Sequence, residues 1–458
     1  MQRQRITPEN TEFVLLSFEG PDGYALAGGL GVRVNHLSQT LADMGFTTHL
    51  IFVGDPSRKA EEVQCGGRLT LHRWCQWISK YYPNGVYEGE NDKLYDFNES
   101  VPWFVRDQII KPAARRGKMV AVLGEEWHTA EAMCRLSDIL HDDGLRDRAV
   151  MFWNANNTFS FERINWERLR YTTTLTTVSR YMKHVMWRMG LNPLVIPNGI
   201  PKNLLLRMPE LEAGRVRKAL EADVVLCKVA RWDPAKGWEA AIGALARLKQ
   251  AGLKSVLVAR GGCEPYGGEL LDRARSLGLS VSARTLPGGS SNGYLGALKG
   301  TRHADVLDLK FHIPLDVLQV IYHAANAVLA NSSHEPFGIV GLETMAAGGV
   351  ALTGCTGEDY AIPFVNSFVL ETSDPGEIVN YVTYLRDYPE ENLKIRKAAR
   401  ETARYFVWEA AAENLVRKLE NQAFNQGALK GVAAPHAEPL EEALGFIQRG
   451  VEPVLPAA

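Results

Sequence analysis

The residues with the strongest chemical signal lie at positions 331–349, N-S-S-H-E-P-F-G-I-V-G-L-E-T-M-A-A-G-G. This pattern predicts a strand that ends at Asn331, a turn that contains Glu335, and a helix that begins near Gly338. The free N–H groups and the positive dipole end at such a helix start suit a phosphate, and glycine lets a ligand approach the backbone closely. Glu343, one to two turns into the helix, is expected to reach the same ligand from another side.

A second group with suitable chemistry is R-W-D-P-A-K-G at positions 231–237, directly after a strand predicted to end at Ala230. Arg231 and Lys236 stand five residues apart in one loop, a spacing that suits a clamp on a diphosphate. Arginine offers a planar fork of donors and lysine a compact charge. In a reaction with a phosphate leaving group, these cations would offset the negative charge that grows in the transition state.

Two weaker signals lie nearer the N-terminus. Gly28–Gly31, G-G-L-G, falls in the first turn between a strand and a helix. This turn is either a phosphate-binding loop or only a tight loop, because the full G-x-G-x-x-G pattern is absent. His128, after a strand predicted to end at Leu123, is equally compatible with a hydrogen bond to a ligand oxygen and with a structural role.

Each of these residues has an ordinary structural interpretation when it is taken alone. Glu335 fits a surface turn, Glu343 an exposed helix position, and Arg231 with Lys236 a solvated basic pair. A binding site is favoured because the acidic residues, the glycines and the basic pair all follow predicted strands in one α/β block. Open α/β sheets bind ligands beyond the carboxyl ends of their strands.

Two α/β blocks must position these residues, since strands alternate with helices along most of the chain. The first block is predicted to contain strands at 13–18, 47–53, 119–123, 150–153 and 175–178, with a helix at 32–44. The second block is predicted to alternate strands at 224–230, 255–259 and 327–331 with helices at 238–250, 270–277, 317–324 and 339–347.

Three segments stand outside this alternation. Residues 72–104 are dense in aromatic residues and turn formers, and we interpret them as an insertion whose rings either line an acceptor or simply pack. Residues 391–419 are predicted to be helical. The stretch from about Gly427 is rich in Ala and Pro and is predicted to be a loosely attached tail.

Composition narrows the class of protein. With 458 residues, 46% hydrophobic and 23% charged, the chain resembles soluble globular proteins of two or three domains. A formal net charge of -2 argues against nucleic acid or an anionic membrane as the main partner. The sequence shows no secretory signal and no apolar span, and its six cysteines match no zinc or disulfide pattern. We therefore expect a cytoplasmic protein.

The motifs resemble those of retaining glycosyltransferases of the GT-B fold, in the superfamily of glycogen synthases, sucrose and trehalose synthases and family 4 transferases. Glu335 and Glu343 match the E-x7-E motif in its usual E-P-F-G-x-x-x-L-E setting. Gly28–Gly31 is similar to the N-terminal G-G-L-G of the glycogen synthase branch, and P-N-G-I at 197–200 is similar to the segment that closes the first domain. The resemblance extends over about 14–419.

This resemblance implies roles for four catalytic residues. Arg231 and Lys236 would bind the donor diphosphate. Glu335 would lie beside the donor sugar, where it contacts hydroxyls or supports the developing positive charge. His128 would contact the donor sugar or its reaction centre.

The resemblance also implies a set of substrate-binding residues. These are Gly29, Leu30, Gly31, Phe337, Gly338, Ile339, Val340 and Glu343. The backbone of the glycine loop would face the phosphate or the acceptor. The backbone at the helix start would bind donor hydroxyls and phosphate, and Glu343 would bind the nucleotide ribose.

The implied fold is α/β of the GT-B type, with two Rossmann-like domains that face a central cleft. Residues 1–198 would form an acceptor domain and residues 199–402 a nucleotide-sugar donor domain. A helix at 403–425 would cross back to pack on the first domain, and 426–458 would be the tail.

The implied reaction moves a hexosyl group, with glucosyl favoured, from a nucleotide diphosphate sugar to a small soluble or carbohydrate acceptor and retains the anomeric configuration. A departing phosphate oxygen can take the acceptor proton, so no side-chain base is demanded. No paired-carboxylate metal site is evident, and we expect neither a cofactor nor an obligate magnesium ion. The expected partners exclude nucleic acid and an integral membrane association, and they include a possible homo-oligomer.

Two departures and two alternatives stay open. T-G-E-D-Y at 356–360 replaces the Gly-Gly pair and carboxylate common in the family, and the 72–104 segment has no counterpart. A catalytically silent nucleotide- or sugar-binding protein would fit the same fold. An NAD-dependent oxidoreductase would need G-x-G-x-x-G with an acidic residue about 20 positions later, and the first block lacks that pattern.

Overall fold

The computed structural model describes residues 2–429 except 207, 287–290 and 300–303, together with 431 and 432. The strands are β1 (Gln2–Arg3), β2 (Thr11–Leu16), β3 (Thr47–Val53), β4 (Glu61–Gln64), β5 (Leu69–Trp74), β6 (Met119–Glu125), β7 (Ala149–Ala155), β8 (Thr174–Thr177), β9 (Leu194–Val195), β10 (Val224–Val229), β11 (Ser255–Arg260), β12 (Val281–Arg284), β13 (Val306–Leu309), β14 (Ala327–Ala330), β15 (Ala351–Thr353), β16 (Phe368–Val369) and β17 (Gly431–Val432). Most of the predicted tail at 426–458 lies outside the described residues.

The α-helices separate most of these strands. They are α1 (Gly29–Asp43), α2 (Gln76–Ser79), α3 (Glu90–Phe104), α4 (Lys111–Arg115), α5 (Ala130–Asp142), α6 (Trp166–Thr172), α7 (Arg180–Trp187), α8 (Glu210–Leu220), α9 (Trp238–Gln250), α10 (Tyr266–Ser276), α11 (Ser291–Ala297), α12 (Leu315–Ala324), α13 (Ile339–Ala346), α14 (Pro375–Asp387), α15 (Pro389–Ala403) and α16 (Trp408–Asn425). Each helix in the described ranges is too short or too polar to cross a lipid bilayer.

The strands form two large sheets and one two-stranded pair. The first sheet has the order β4-β5-β3-β2-β6-β7-β8-β9 and is parallel except for the β4–β5 pair. The second has the order β12-β13-β11-β10-β14-β15-β16 and is parallel throughout. The strand order changes direction at β2 and β6 in the first sheet and at β10 and β14 in the second. Ligands of open α/β sheets bind at such switch points.

Both sheets are buried on both faces, which explains their nearly continuous apolar strands. In β2, Val14 and Leu16 pack in the cluster on one face, and Phe13 and Leu15 pack in the cluster on the other. The second sheet has the same arrangement, with separate apolar clusters on its two faces. The α/β fold class predicted from the sequence is confirmed.

Helix α1 positions the first Gly-rich turn. Its apolar residues Val34, Leu37 and Leu41 recur at helical spacing and are buried. Gly45, with φ of +99°, lies just beyond the helix, where the left-handed region favours glycine. The prediction began this helix at residue 32, but the structure begins it at Gly29, so the glycine loop itself forms the first helical turn.

The interpretation of residues 72–104 as an insertion between α/β units is wrong for much of that segment. Its first residues complete strand β5, which pairs with β3 inside the sheet. Its last part is helix α3, which belongs to the crossover from β5 to β6. Only the stretch between Cys75 and Gly89 is a true excursion. The strand and the helix were not recognised in the sequence, because the many aromatic residues interrupt the apolar spacing that is typical of each element.

The single helix predicted at 391–419 is two helices, α15 and α16, separated by residues 404–407. The break turns the chain toward the first sheet. Trp408 packs in the same cluster as Val34 of α1, and its ring lies 5.6 Å from that of His36. Gly199 lies directly against the start of α16, since a Cβ there would be 2.5 Å from the Trp408 nitrogen. Helix α16 thus packs on the first half, while the division into domains at 198 and 402 stays a prediction.

Candidate functional site

Two loops from distant parts of the sequence meet at the switch point of the second sheet. One follows β10 and contains Lys236, and the other follows β14 and contains Glu335. The Lys236 Nζ lies 3.4 Å from the Glu335 Oε1, and the backbone nitrogen of Ser333 donates to the Ala235 oxygen at 2.9 Å. Because β10 and β14 are neighbours, the basic and acidic motifs form one surface.

The β10 loop has a fixed shape. Asp233 accepts a hydrogen bond from the Ala235 nitrogen at 2.8 Å, and the Trp238 indole donates to the Arg231 oxygen at 2.8 Å. The Trp232 ring packs 4.1 Å from that of Trp238. The guanidinium of Arg231 extends into solvent with its side chain 67% exposed, 3.9 Å from Asp233. Arg231 is therefore able to swing toward a bound anion, while the side chain of Lys236 is only 15% exposed.

The start of α13 offers backbone donors beside these side chains. Gly338 precedes the helix with φ of +69°, and no described side chain caps the helix start. The buried Tyr360 donates its hydroxyl hydrogen to the Gly338 oxygen, and Phe337 packs against the Tyr360 ring. The N–H groups of Ile339 and Val340 lie in the first helical turn, where they can bind an anion.

Glu343 faces the interior of this site. It is half-buried rather than exposed, so its interpretation as a surface helix residue is wrong. Burial raises the pKa of its carboxyl to about 7, the Tyr322 hydroxyl opposes this shift, and the negative charge of Glu335 adds to it. The two glutamates of the E-x7-E motif therefore lie close enough to interact.

Lys228 is a member of the cluster that the sequence analysis missed. It lies on β10 with 1% of its surface exposed, and its Nζ donates to the Leu329 oxygen at 3.0 Å and to the Asn331 Oδ1. The Asn331 side-chain nitrogen donates in turn to the Gly237 oxygen at 3.1 Å. Lys228 thus joins the end of β14 to the β10 loop. Its position inside the otherwise apolar strand V-V-L-C-K-V was the feature of the sequence that could have identified Lys228.

The Lys228→Met variant is expected to change how stability depends on pH. Burial lowers the pKa of Lys228 from 10.5 to about 7, against the attraction of Glu335. Between these values the unfolded chain binds the proton and the folded chain does not, so folding becomes more favourable as the pH rises. The unfolding free energy of the wild type, relative to the variant, should rise from about pH 7 to about pH 10.5 and stay flat below pH 7.

Equilibrium urea unfolding of both proteins across this pH range measures the difference. Lys397→Met, at an exposed position of α15, is the control and should show no such rise. A wild-type advantage that stays constant or falls with increasing pH would contradict the burial of this ammonium group.

In the first sheet, the glycine loop is organised by Glu19. This carboxylate accepts from the Gly28 nitrogen at 2.9 Å and from the Gly31 nitrogen at 3.0 Å, and its other oxygen accepts from the Tyr87 hydroxyl at 2.5 Å. The Gly31 N–H is therefore occupied, and a negative charge lies beside the loop. This geometry favours the tight-loop interpretation, and sequence reasoning missed Glu19 because its partners lie 9, 12 and 68 residues away.

His128 follows β6 and is buried beside this loop. Its ring stacks on Phe18 at 4.3 Å, and its Nε2 lies 2.8 Å from the Glu90 Oε1. Burial lowers the pKa of His128, which favours a neutral ring with its hydrogen on Nε2. The Nδ1 atom is buried and has no partner among the described residues. Its hydrogen-bonding capacity is therefore unused within the part of the chain that this structure describes, and the contact with a ligand that the sequence left open stays a prediction.

The two groups of residues lie on different sheets. The glycine loop and His128 follow β2 and β6, and the basic and acidic loops follow β10 and β14, so both lie beyond carboxyl strand ends. No hydrogen bond or ion pair between described residues joins one group to the other. Across the described side chains, no cluster of three or more His, Cys, Asp or Glu could bind a metal ion. The expectation that no metal is required stays a prediction.

The segment at 356–360, which departs from the family pattern, contacts the first half of the chain. The Asp359 carboxylate accepts from the Arg180 backbone nitrogen at 3.0 Å, and the Arg180 side chain donates to the Glu358 oxygen at 2.7 Å. Burial raises the pKa of Asp359. In this structure the segment at 356–360 therefore holds the start of helix α7 against the second half of the chain.

Comparisons with known proteins show which family this part of the chain resembles. Residues 213–402 match the family of glycosyl transferases group 1. Two curated relatives, from two strains of Mycobacterium tuberculosis, are each a GDP-mannose-dependent alpha-(1-6)-phosphatidylinositol dimannoside mannosyltransferase. Each is 26% identical over 230 residues, which are 50% of this chain and 52% of the relative. The chain thus spans about half the length of the curated relatives it matches.

Two solved structures show the fold. Sucrose-phosphate synthase from Thermosynechococcus elongatus superposes with a TM-score of 0.64 at 18% identity, covering 91% of this chain and 99% of that one. Anabaena HepE in complex with UDP-glucose gives a TM-score of 0.57 at 15% identity, covering 90% and 99%. The predicted GT-B fold and the resemblance to GT-B glycosyltransferases are confirmed.

Proposed function

We infer from the GT-B fold and the glycosyl transferases group 1 domain of this chain that it is a transferase. We propose that it transfers a hexosyl group from a nucleotide diphosphate sugar. Glucosyl is the favoured group, and the acceptor is a small soluble molecule or a carbohydrate. The transfer retains the anomeric configuration. We also propose that the protein acts in the cytoplasm and requires no metal ion.

One observation carries this proposal, namely that Lys236, Glu335 and the uncapped start of α13 meet at the carboxyl edge of the second sheet. A cation beside a helix start suits a pyrophosphate. A carboxylate 3.4 Å from that cation would lie beside the sugar attached to the pyrophosphate. The cluster therefore supports a donor with both a diphosphate and a sugar.

The proposed mechanism depends on charge stabilisation and positioning. As the bond between the anomeric carbon and the phosphate oxygen breaks, negative charge grows on the leaving diphosphate. Lys236, Arg231 and the N–H groups of Ile339 and Val340 would stabilise that charge. The acceptor hydroxyl would approach from the same face, and the leaving phosphate oxygen would take its proton. Glu335 would support the positive charge on the sugar.

The residues of the first sheet are proposed to act on the sugars rather than on the phosphates. The unpartnered Nδ1 of His128 can accept a hydroxyl hydrogen, and Glu90 orients its ring. The negative Glu19 disfavours a phosphate at the glycine loop. We therefore place Gly29 and Leu30 nearer to the neutral acceptor than to the donor diphosphate.

A donor screen tests the proposed function. The protein is mixed with UDP-, ADP- and GDP-linked glucose and mannose and with a panel of sugar and polyol acceptors, and released nucleotide diphosphate is measured. We expect release that requires both donor and acceptor, with an α-configured donor giving an α-linked product by NMR. An inverted product would refute retention, and no release from any pair would favour a silent binding protein.

A further inference from the structure

A cleft outside the two groups of site residues opens between α2 and the first turns of α3. Its volume is about 400 Å³, within the range of sites for small ligands. It is lined by Trp77, Ile78, Tyr81, Tyr82, Asp92, Tyr95 and Asp96. Neither the proposed donor site nor its mechanism uses any of these side chains.

The aromatic residues of the cleft are unusually exposed. Trp77 is 63% exposed, Tyr81 78% and Tyr95 71%. Large apolar groups that cluster on a surface usually mark a binding site. Ring faces of this kind pack well against the C–H face of a sugar ring, and the tyrosine hydroxyls add polar contacts at the rim.

Two carboxylates give the cleft its charge. Asp92 accepts a hydrogen bond from the Tyr82 hydroxyl at 2.6 Å, and neither Asp92 nor Asp96 forms an ion pair with a cation among the described residues. Carboxylate oxygens accept hydrogen bonds from hydroxyl groups. Their negative charge disfavours a phosphorylated ligand, including the nucleotide-sugar donor. The cleft therefore matches a neutral molecule with many hydroxyls and apolar ring faces.

The wall of the cleft is fixed in place by a buried lysine. Lys93 has none of its surface exposed, and its Nζ donates to the Tyr24 hydroxyl at 2.6 Å and to the Glu88 oxygen at 2.6 Å. The same Nζ lies 5.6 Å from the centre of the Tyr82 ring. A wall that is ordered before the ligand binds costs less entropy on binding.

Helix α3 separates the cleft from the candidate site. Glu90, the first residue of α3, contacts His128. At about 3.6 residues per turn, Asp92 and Asp96 lie on the other side of the helix from Glu90. The cleft therefore opens on the side of α3 that faces away from His128.

We propose that this cleft binds a neutral carbohydrate chain at a surface site separate from the proposed donor site. This binding does not depend on the proposed transferase function. The contacts assign ring stacking to Trp77 and Tyr95, and hydroxyl recognition to Asp92 and Asp96.

Calorimetric titration of the full chain, without donor, tests the binding. The probes are neutral hexasaccharides of α-glucose, β-glucose, α-mannose and β-xylose, the matching monosaccharides, and tetramethylammonium chloride. We expect at least one hexasaccharide to bind, and more tightly than its monosaccharide. Trp77→Ala and Tyr95→Ala should each weaken that binding by about fivefold to tenfold, because each removes one stacked ring.

Matched controls keep the outcomes distinct. Tyr171 is 91% exposed on α6, away from the cleft, and Tyr171→Ala should bind the hexasaccharide as the wild type does. Thermal stabilisation by UDP, ADP or GDP reports on the donor site separately and should be unchanged in the cleft variants. Binding of only tetramethylammonium, no hexasaccharide binding at millimolar concentration, or unchanged affinity in both ring variants would each overturn the proposal.

Discussion

The Lys236→Ala variant is expected to turn over its nucleotide-sugar donor with kcat/KM lowered by about 10²-fold, the scale of removing one electrostatic donor from a transition state. The structure explains why this lysine should act mainly on kcat. Its side chain is only 15% exposed and lies 3.4 Å from Glu335, so its ammonium group is already positioned beside the proposed sugar. Because the charge on the diphosphate grows as the bond breaks, kcat should fall more than the donor KM rises.

The Arg231→Ala variant is expected to lower kcat/KM on a similar scale, but with a different division of the effect between kcat and the donor KM. The guanidinium is 67% exposed and must move onto the diphosphate, so part of its effect should appear in the donor KM. The control is Lys397→Ala on α15, which removes an exposed cation elsewhere in the second half. Initial rates at varied donor concentration give both constants. Near-wild-type kcat/KM in either site variant would count against the assignment of the diphosphate site.

The Arg33→Met variant is expected to lower the free energy of unfolding by about 3 kcal/mol, the scale for breaking a buried ion pair from one side. The Arg33 Nε lies 3.1 Å from the Glu125 carboxylate, and the two side chains are 4% and 2% exposed. The Arg33 Nη1 also donates to the Asn198 Oδ1 at 2.6 Å. The substitution would leave a buried carboxylate with only the Asn154 and Asn156 amides as partners.

Urea unfolding of Arg33→Met, Glu125→Gln and the double variant measures the coupling between the two residues. The double variant should recover part of the lost stability, because it leaves no uncompensated charge. An exposed pair provides the comparison: Arg404 and Glu401 are 58% and 54% exposed, and Arg404→Ala should cost less than about 0.5 kcal/mol. Additive losses in the double variant would show that the buried pair does not act as a unit.

The Arg33 contacts also bear on the geometry of the site. Arg33 belongs to the helix that begins with the glycine loop, Glu125 ends the strand that precedes His128, and Asn198 lies in P-N-G-I. One side chain thus connects three segments that the sequence resemblance assigned to the first half. Its loss should displace the glycine loop relative to His128, in addition to reducing stability.

Local sequence determined most of the secondary structure. The strand at 47–53 and the helix at 238–250 have the predicted bounds, because each follows a strong apolar period and ends at clear turn residues. The E-P-F-G turn was also predictable, since glycine tolerates the positive φ of Gly338 that other residues rarely adopt. The motifs thus identified the two loops that are proposed to bear the chemistry, each from its own few residues.

Long-range contacts were not predictable in this way. Residues 72–104 contain a sheet strand and a crossover helix, and only strand pairing with β3 distinguishes that strand from a loop. The helical pattern at 391–419 is continuous and did not indicate the break at 404–407. The chain around this break packs against Gly199. In both cases the deciding partner lies far away in the sequence.

The sequence by itself therefore determined the α/β class, the family resemblance and the residue types of the proposed diphosphate site. The tertiary structure alone decided that Lys236 lies beside Glu335, that Lys228 joins the loops beneath them, and that Glu19 occupies the amides of the glycine loop. The physical reason is that side-chain periodicity and turn chemistry act over a few residues. Strand order and burial, which bring charges together and shift their pKa values, depend on contacts across the whole chain.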